Sequence, residues 1–324
     1  MIKYYQLTGI LNKSQFGQRL DLALAKLFPK YSRSQIKIWI LKGLVKLNNK
    51  VKLIPKEKIY GNENVHIQII IEKKISYKSQ NIFLNIVFED EYIIIINKPC
   101  NIVVHPGAGN NDNTILNALL HYFPPISQVP RAGIVHRLDK NTTGLMVIAK
   151  TILAYIRLVE LLKKRKIKRE YEAIVIGNII SGNTINQPIA RHKYNRIKMA
   201  VNPMGKIAIT HYRILEHFRA HTRLRICLDT GRTHQIRVHM AYINHHLLGD
   251  PLYGKKFQFL KDSSEYCNKI LHSFNRQALH AILLCFYHPI TLVKMEWYIP
   301  LPQDMINLIA VLRDDFLTYK VKNL

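Results

Sequence analysis

Residues 132–150 read AGIVHRLDKNTTGLMVIAK. Two apolar runs with β-branched residues flank a polar loop, a pattern of strand, turn and strand. The loop holds a single acid, Asp139, among His136, Arg137 and Lys140. Neighbouring cations favour the ionised form of a carboxylate, so Asp139 should carry its charge at neutral pH. On the residues alone two uses are open. Asp139 could organise a turn that Thr142-Thr143-Gly144 completes, as loop aspartates commonly do. The turn is the commoner use on the residues alone; the other is to present a charged carboxylate to a ligand.

Outward from this stretch, short apolar runs recur at 82–87, 92–96, 145–149, 171–176, 224–228 and 236–238, punctuated by Gly, Pro and Asn. Helical spacing is rarer, at 114–121, 151–164 and 303–316. Strands dominate without strict alternation with helices. The predicted fold class is therefore α+β with a mixed sheet, not a doubly wound one. Two further stretches are rich in functional groups. Residues 230–240, TGRTHQIRVHM, read as a strand with Arg232, His234, Ile236 and Val238 on one face. Thr233, Gln235, Arg237 and His239 then share the other, a face of donors suited to a phosphate or a carboxylate, or simply to solvent. Residues 168–173, KREYEA, read as a strand start with Tyr171 as an ordinary β-favoured aromatic.

The 324 residues carry 48 Lys plus Arg against 21 Asp plus Glu, a formal charge of +27. Such an excess favours a polyanion, either nucleic acid or an acidic membrane, although an Ile-, Lys- and Asn-rich chain can owe some lysines to genome composition. Several classes drop out. The greasiest stretch, 93–96, has strand length, far from the ~18 apolar residues of a membrane span. The first residues, MIKYYQ, lack the apolar core of a signal peptide. Cys100, Cys227, Cys267 and Cys285 form no C-x-x-C pair, which points away from disulfides and thiolate zinc and toward a reducing cytoplasm. No histidine pair has zinc spacing, and no dinucleotide, Walker or Gly-x-Ser-x-Gly motif is complete.

Four segments follow: an N-terminal extension at 1–16, a compact unit at 17–72, a polar linker at 73–81, and a large domain at 82–324. In the compact unit, Leu20, Leu22, Leu24, Leu27 and Phe28 make the apolar side of a helix that Pro29 ends. Ser32, three residues before Gln35, caps a second helix starting at Arg33, and Gly43 closes it. A hairpin turning at Asn48-Asn49 and an alternating strand over 65–69 complete it. Lys30, Arg33, Lys37, Lys42, Lys46, Lys50 and Lys52 line its polar face, with no carboxylate between Asp21 and Glu57. Unpaired, clustered cations fit phosphate contacts, against the plainer reading of a solvated helix face. The run 163–169 adds Lys163, Lys164, Arg165, Lys166, Lys168 and Arg169 just before Tyr171, again as a candidate backbone contact or a solvated helix end.

The compact unit resembles the S4 RNA-binding domain through Ser32-Arg33-Ser34-Gln35 and Lys42-Gly43-Leu44-Val45-Lys46-Leu47-Asn48, departing from it at Gly61-Asn62-Glu63. The rest resembles the RluA-type pseudouridine synthases. The motifs are GIVHRLDK with TTGL, REY, GRTHQIRVH, GDPLYG at 249–254 and RQALHA at 276–281, in that order. Departures are small: Asn141 stands where Asp is usual and His246 where Pro is usual. The resemblance implies a pseudouridine synthase domain with a mixed, largely antiparallel sheet flanked by helices, behind an S4-like α/β domain. It implies Asp139 as catalytic carboxylate, Arg237 as its ion-pair partner, Tyr171 as the aromatic stacked on the target uracil, and Arg137 as the residue filling the flipped nucleotide's gap. RNA contact is further expected at Lys140, Arg33, Lys37, Lys42, Lys46, Lys164, Arg165, Arg232 and His234. The reaction imports no group and oxidises nothing, so neither cofactor nor metal is called for. The implied partner is large-subunit (23S) ribosomal RNA or a pre-ribosomal subunit, at the stem-loop called helix 69, with no membrane and the chain taken as a monomer. The alternatives are other ribosomal or transfer RNA uridines, or a non-catalytic S4-type ribosome-assembly factor.

Overall fold

The computed structural model describes residues 3–29, 31–71, 77–107, 109–254 and 263–322. Lys30 and the first four residues of the polar linker, 73–76, lie outside them. The chain divides into two compact units, Met1–Ser76 and Tyr77–Leu324.

In the first unit β1 (Lys3–Ile10), α1 (Leu20–Leu27), α2 (Arg33–Leu41), β2 (Val45–Leu47), β3 (Lys50–Lys52) and β4 (Asn64–Ile71) follow in sequence. The sheet order is β1-β4-β2-β3. Residues 3–10, in the segment read from sequence as an N-terminal extension, pair antiparallel along the full length of β4, from Lys3↔Ile71 to Ile10↔Asn64. An edge strand bearing polar residues on one side gives only a weak signal in sequence. The Ser32 hydroxyl accepts from the Gln35 N–H, which sets the start of α2 at Arg33. Asn48 and Asn49 take φ of 45° and 64°, the pair of left-handed positions that a two-residue hairpin turn needs. Leu20, Leu24, Ile36, Trp39, Ile40, Val45 and Ile67 form the core, whereas Leu22 faces solvent, not the predicted apolar side.

The second unit runs through β5 (Ile86–Glu89), β6 (Ile93–Lys98), α3 (Ile115–Tyr122), β7 (Thr143–Ala149), α4 (Ile152–Lys163), β8 (Lys168–Ile176), β9 (Asn183–Asn186), β10 (Ile189–Arg191), β11 (Met199–Val201), β12 (Ile209–His217) and β13 (His221–Leu228). It ends with α5 (Gln235–Tyr242), α6 (Glu265–Ser273), β14 (Leu279–Tyr287), β15 (Lys294–Tyr298) and α7 (Gln303–Lys322). Its nine-stranded sheet has the order β5-β6-β7-β14-β8-β13-β12-β9, with β15 also on β14. Every pairing is antiparallel except β7 with β14.

Both faces of the sheet are covered, which explains the run of four isoleucines. Successive side chains of a strand alternate faces. Ile94 and Ile96 join Met146, Tyr171, Leu224 and α3, while Ile93 and Ile95 join Leu145, Val147, Phe286 and α4. The strand predicted over 82–87 begins only at Ile86, the last helix continues past residue 316 to Lys322, and α6 was not anticipated.

β7 and β14 approach closely at Gly144, whose φ is +119° and where an added Cβ would sit 2.2 Å from the Ala281 carbonyl oxygen. Gly144→Ala should therefore cost about 3 kcal/mol or more, read as a lower urea midpoint of the full chain. A midpoint within error of wild type would show that the parallel junction tolerates a side chain.

Candidate active site

Asp139 sits in the turn that leads into β7, and several buried groups hold that turn. At the end of β6, Lys98 is completely buried, and its ammonium donates to the carbonyls of Pro99 (2.7 Å), Ile102 (3.0 Å) and Lys140 (3.0 Å). Burial pushes its pKa down to about 8. Arg276, gripped on both nitrogens by Asp304, donates to the Asn141 carbonyl (3.4 Å). The Gln277 amide donates to the Thr142 hydroxyl (2.9 Å). The three residues after Asp139 are thus each fixed by a separate side chain. His136, which burial keeps neutral with a pKa of about 3, accepts the Val147 N–H (3.1 Å).

The second element of the site corrects the sequence reading. Residues 230–234 form a loop and 235–242 form α5, not a strand with alternating faces. Ile236 and Val238 favour a strand locally, but a short run cannot separate the two periods. The Gln235 carboxamide accepts from the Arg232 N–H (2.9 Å) and the Thr230 hydroxyl (2.8 Å), and it donates to the Ile209 carbonyl (2.9 Å). His234 precedes the helix in left-handed geometry, φ 56°, an uncommon place for a non-glycine residue and one often found at functional sites. His239 is buried and bonded to Thr210 (2.8 Å) and the Gln187 carbonyl (3.0 Å), so it is structural.

Arg237 on α5 joins two carboxylates. Its Nε and Nη2 each lie 2.7 Å from an oxygen of Asp250, and Nη1 donates to Asp139 Oδ2 at 3.1 Å. Asp139 Oδ1 accepts no hydrogen bond among the described residues; His234 Nε2 lies 3.9 Å from it. Burial alone would raise the Asp250 carboxyl, but hydrogen bonds and charge from Arg237, with the Tyr253 and Leu252 N–H groups, hold it below its ordinary value. Burial would lower the Arg237 pKa, and the bonds to Asp250 together with the charge of Asp139 raise it instead. Asp250 was quoted in a motif without a role; a buried acid opposite an arginine is a pairing that only three-dimensional contact reveals.

Asp139, Arg237, Tyr171, Arg137, Arg232 and His234 all line one cavity of about 530 Å³. Tyr171 is buried on β8, paired with Ile226 and Ala281 in the middle of the sheet. Its hydroxyl pKa is raised, chiefly by burial. Arg137 and Lys140 are exposed, and neither side chain has an ion pair among the described residues. Arg232 is exposed and donates to the Ile207 carbonyl (3.0 Å).

The basic runs are less free than their sequence implied. Lys164 pairs with Glu160 (2.6 Å), Arg165 with Asp229 (3.7 Å) and Lys168 with Glu170 (2.8 Å), while Arg169 is buried beside the Leu228 carbonyl. In the first unit Arg33 is not unpaired either: it meets Asp21 at 2.8 Å, as does Arg19 at 2.9 Å. Lys52 pairs with Glu57. Both carboxylates sit at the edges of the acid-free window and return to it through the fold. Lys37, Lys42 and Lys46 remain exposed and without an ion-pair partner among the described residues.

Comparison with known proteins adds an independent line. The profile of the family described as RNA pseudouridylate synthase matches residues 92–242, and that of the S4 domain matches 18–65. The chain is 59% identical over 320 residues, 99% of its length, to the ribosomal large subunit pseudouridine synthase D of Escherichia coli (strain K12), covering 98% of that protein. It is 56% identical over 314 residues to the protein of the same name from Haemophilus influenzae, covering 97% of each. Among solved structures, human RNA pseudouridylate synthase domain containing 4 is similar with a TM-score of 0.55 and 25% identity, over 71% of this chain and 93% of that one. Human RNA pseudouridylate synthase domain containing 1 shares the fold at a TM-score of 0.55 and 24% identity, over 72% and 89%.

Asp250→Asn leaves the buried Arg237 with one charged partner, so it should destabilise the chain by about 3 kcal/mol at pH 7. The Asp250 pKa is depressed in the fold. Its contribution is therefore full above the unfolded carboxylate's pKa of about 3.9 and is lost as pH falls below that value. Urea unfolding should show a gap between the two proteins at pH 7 that narrows as pH falls toward about 3. An equal gap at both pH values would contradict the pairing.

Proposed function

The chain belongs to the RluA-type pseudouridine synthases with an N-terminal S4 domain, and on that premise we propose that Asp139 is its catalytic carboxylate and the helix 69 stem-loop its target. It is an RNA uridine isomerase that forms pseudouridine in large-subunit (23S) ribosomal RNA. The reaction breaks the bond from ribose C1′ to uracil N1, turns the base, and joins C1′ to C5. A carboxylate can serve it by covalent attack or through a glycal intermediate, and either route needs an ionised, well-placed oxygen.

One observation carries the assignment to Asp139. Arg237 anchors Oδ2 at 3.1 Å while Oδ1 is left without a hydrogen bond among the described residues, in a cavity also lined by Tyr171. One oxygen is held, and the other has lone-pair sites open to the substrate. Arg237 positions the carboxylate by a directional, charge-assisted contact. Tyr171 lines the same cavity, which supports its stacking on the uracil. Its raised pKa makes the hydroxyl a neutral phenol at physiological pH, which suits stacking and hydrogen bonding better than service as a ready-made base.

A base inside a stacked helix cannot bring its sugar carbon to this carboxylate, so the nucleotide must be turned out. Arg137 lines the cavity, is exposed and has no ion pair among the described residues, which supports it as the side chain that fills the gap. Stem-loops offer bases that are cheap to splay, which supports a hairpin target. Backbone contact then falls to Lys37, Lys42 and Lys46 in the S4 domain, with the exposed Lys140 next to Asp139 and with Arg232 and His234 at the cavity. Arg33, Lys164 and Arg165 contribute less, since each already faces a carboxylate. The enzyme acts in the cytoplasm as a monomer on this reading. No helix among the described residues is long and apolar enough to cross a membrane.

Asp139→Asn should lower the single-turnover rate on a helix 69 transcript by at least about 10⁴-fold, with RNA affinity within about twofold of wild type. Pseudouridine formed at a normal rate would sink the assignment. Replacing Lys37, Lys42 and Lys46 by Ala should flatten the slope of log affinity against log salt by about 2 to 3. An unchanged slope would return these lysines to the solvent.

A further inference from the structure

Tyr253, in the segment that follows Asp250, contacts Arg237, Asp250 and His234. Its hydroxyl accepts the Met199 N–H at 2.7 Å and lies 2.8 Å from His234 Nδ1. Its ring lies under the Arg237 guanidinium, 5.0 Å from the centroid, and meets the His234 ring edge-on at 5.6 Å and 77°. Met199 opens β11 of the β10–β11 hairpin, so a single oxygen ties that hairpin to the catalytic cavity.

The protons in this chain can be placed. A phenol has one proton to give, and Met199 N–H already occupies an acceptor site on the oxygen. Among the described residues the only acceptor within reach of that proton is His234 Nδ1. On the far side of the ring, Nε2 faces Asp139 Oδ1 at 3.9 Å. A bare nitrogen lone pair turned toward a carboxylate would repel it, whereas an N–H attracts it. Hydroxyl and carboxylate therefore select the same tautomer. Burial lowers the His234 pKa, against the raising effect of Asp139, and with Arg237, Arg137 and Asp250 as its other charged neighbours the ring is neutral at pH 7.

We propose that Tyr253 is a positioning residue that holds His234 as the Nε2–H tautomer, so that Asp139 meets Arg237 on one oxygen and a neutral N–H on the other. This rests on Asp139 being the catalytic carboxylate. A neutral donor fixes the plane of the carboxylate without cancelling its charge, as a second cation would. The 3.9 Å gap is longer than a hydrogen bond, and catalytic contacts often close only when substrate is bound. The left-handed backbone of His234 fits this role, because it aims the ring between Tyr253 and Asp139 from the first residue of the helix cap.

Tyr253→Phe keeps the ring, and with it the cation–π and edge contacts, and removes only the hydroxyl. In the full chain with ¹⁵N-labelled histidine, the His234 resonances are assigned by their loss in His234→Gln. Wild type should show an unprotonated Nδ1 and a protonated Nε2, and Tyr253→Phe should show a mixture of tautomers. On a helix 69 transcript the Tyr253→Phe rate should fall about tenfold with RNA affinity within about twofold. In a His234→Gln background, whose amide has no tautomer to select, the same change should cost less than about twofold. A protonated Nδ1 in wild type, an unchanged tautomer in Tyr253→Phe, or costs that simply multiply would overturn the proposal. The spectra are taken without RNA. A failure of the Asp139 assignment would appear instead as turnover by Asp139→Asn, and the tautomer would still be decided.

Discussion

A buried guanidinium between two carboxylates is the interaction on which the site depends. Arg237 is buried, and a buried cation is tolerated only when it is paired and its donors are used. Asp250 uses two of those donors and is itself buried, so this pair is in effect neutral. Asp139 receives the remaining bond but is not neutralised by it. The result is a carboxylate held in place that keeps most of its charge for the substrate. A lone arginine–aspartate pair would orient the acid and quench it at once.

The sheet supplies the rigidity this arrangement needs. β6, β7 and β14 bring Lys98, the turn after Asp139, and Arg276-Gln277 to the same edge of the fold. Each bond fills a carbonyl or hydroxyl that the turn would otherwise leave open, and buried polar groups without partners are costly. Lys98 shows the size of the commitment. A lysine with no exposed surface and a pKa near 8 is an expensive way to satisfy three carbonyls, and its position beside the catalytic turn accounts for keeping it.

Much of this was legible in the sequence where one local rule governed the outcome. Ser32 and Gln35 fixed a helix start, Asn48-Asn49 a hairpin, and the four isoleucines of 93–96 a strand, which the fold then buries on both faces. Asp139, Tyr171 and Arg237 came from motif resemblance and do line one cavity. The misses share a cause: contacts between residues far apart in the chain. Residues 235–242 form a helix against their local propensity, and Gln235 at its start is bonded to the strand that begins at Ile209. Arg33 found Asp21, and Arg165 found Asp229, although each lay in a stretch that looked free of acids. The net charge of +27 accordingly overstates the RNA-facing surface, since several cations in the two most basic runs serve local pairs.

Arg237→Lys tests the account most directly. Lysine keeps the positive charge but offers a point instead of a planar fork, so it cannot hold Asp250 on two atoms and Asp139 on a third. Under single-turnover conditions with a large-subunit RNA stem-loop, the rate should fall by about 100-fold or more while RNA affinity stays within about twofold. A rate within about threefold of wild type would mean that charge near Asp139 suffices and that the fixed geometry of the two carboxylates is not what the site depends on.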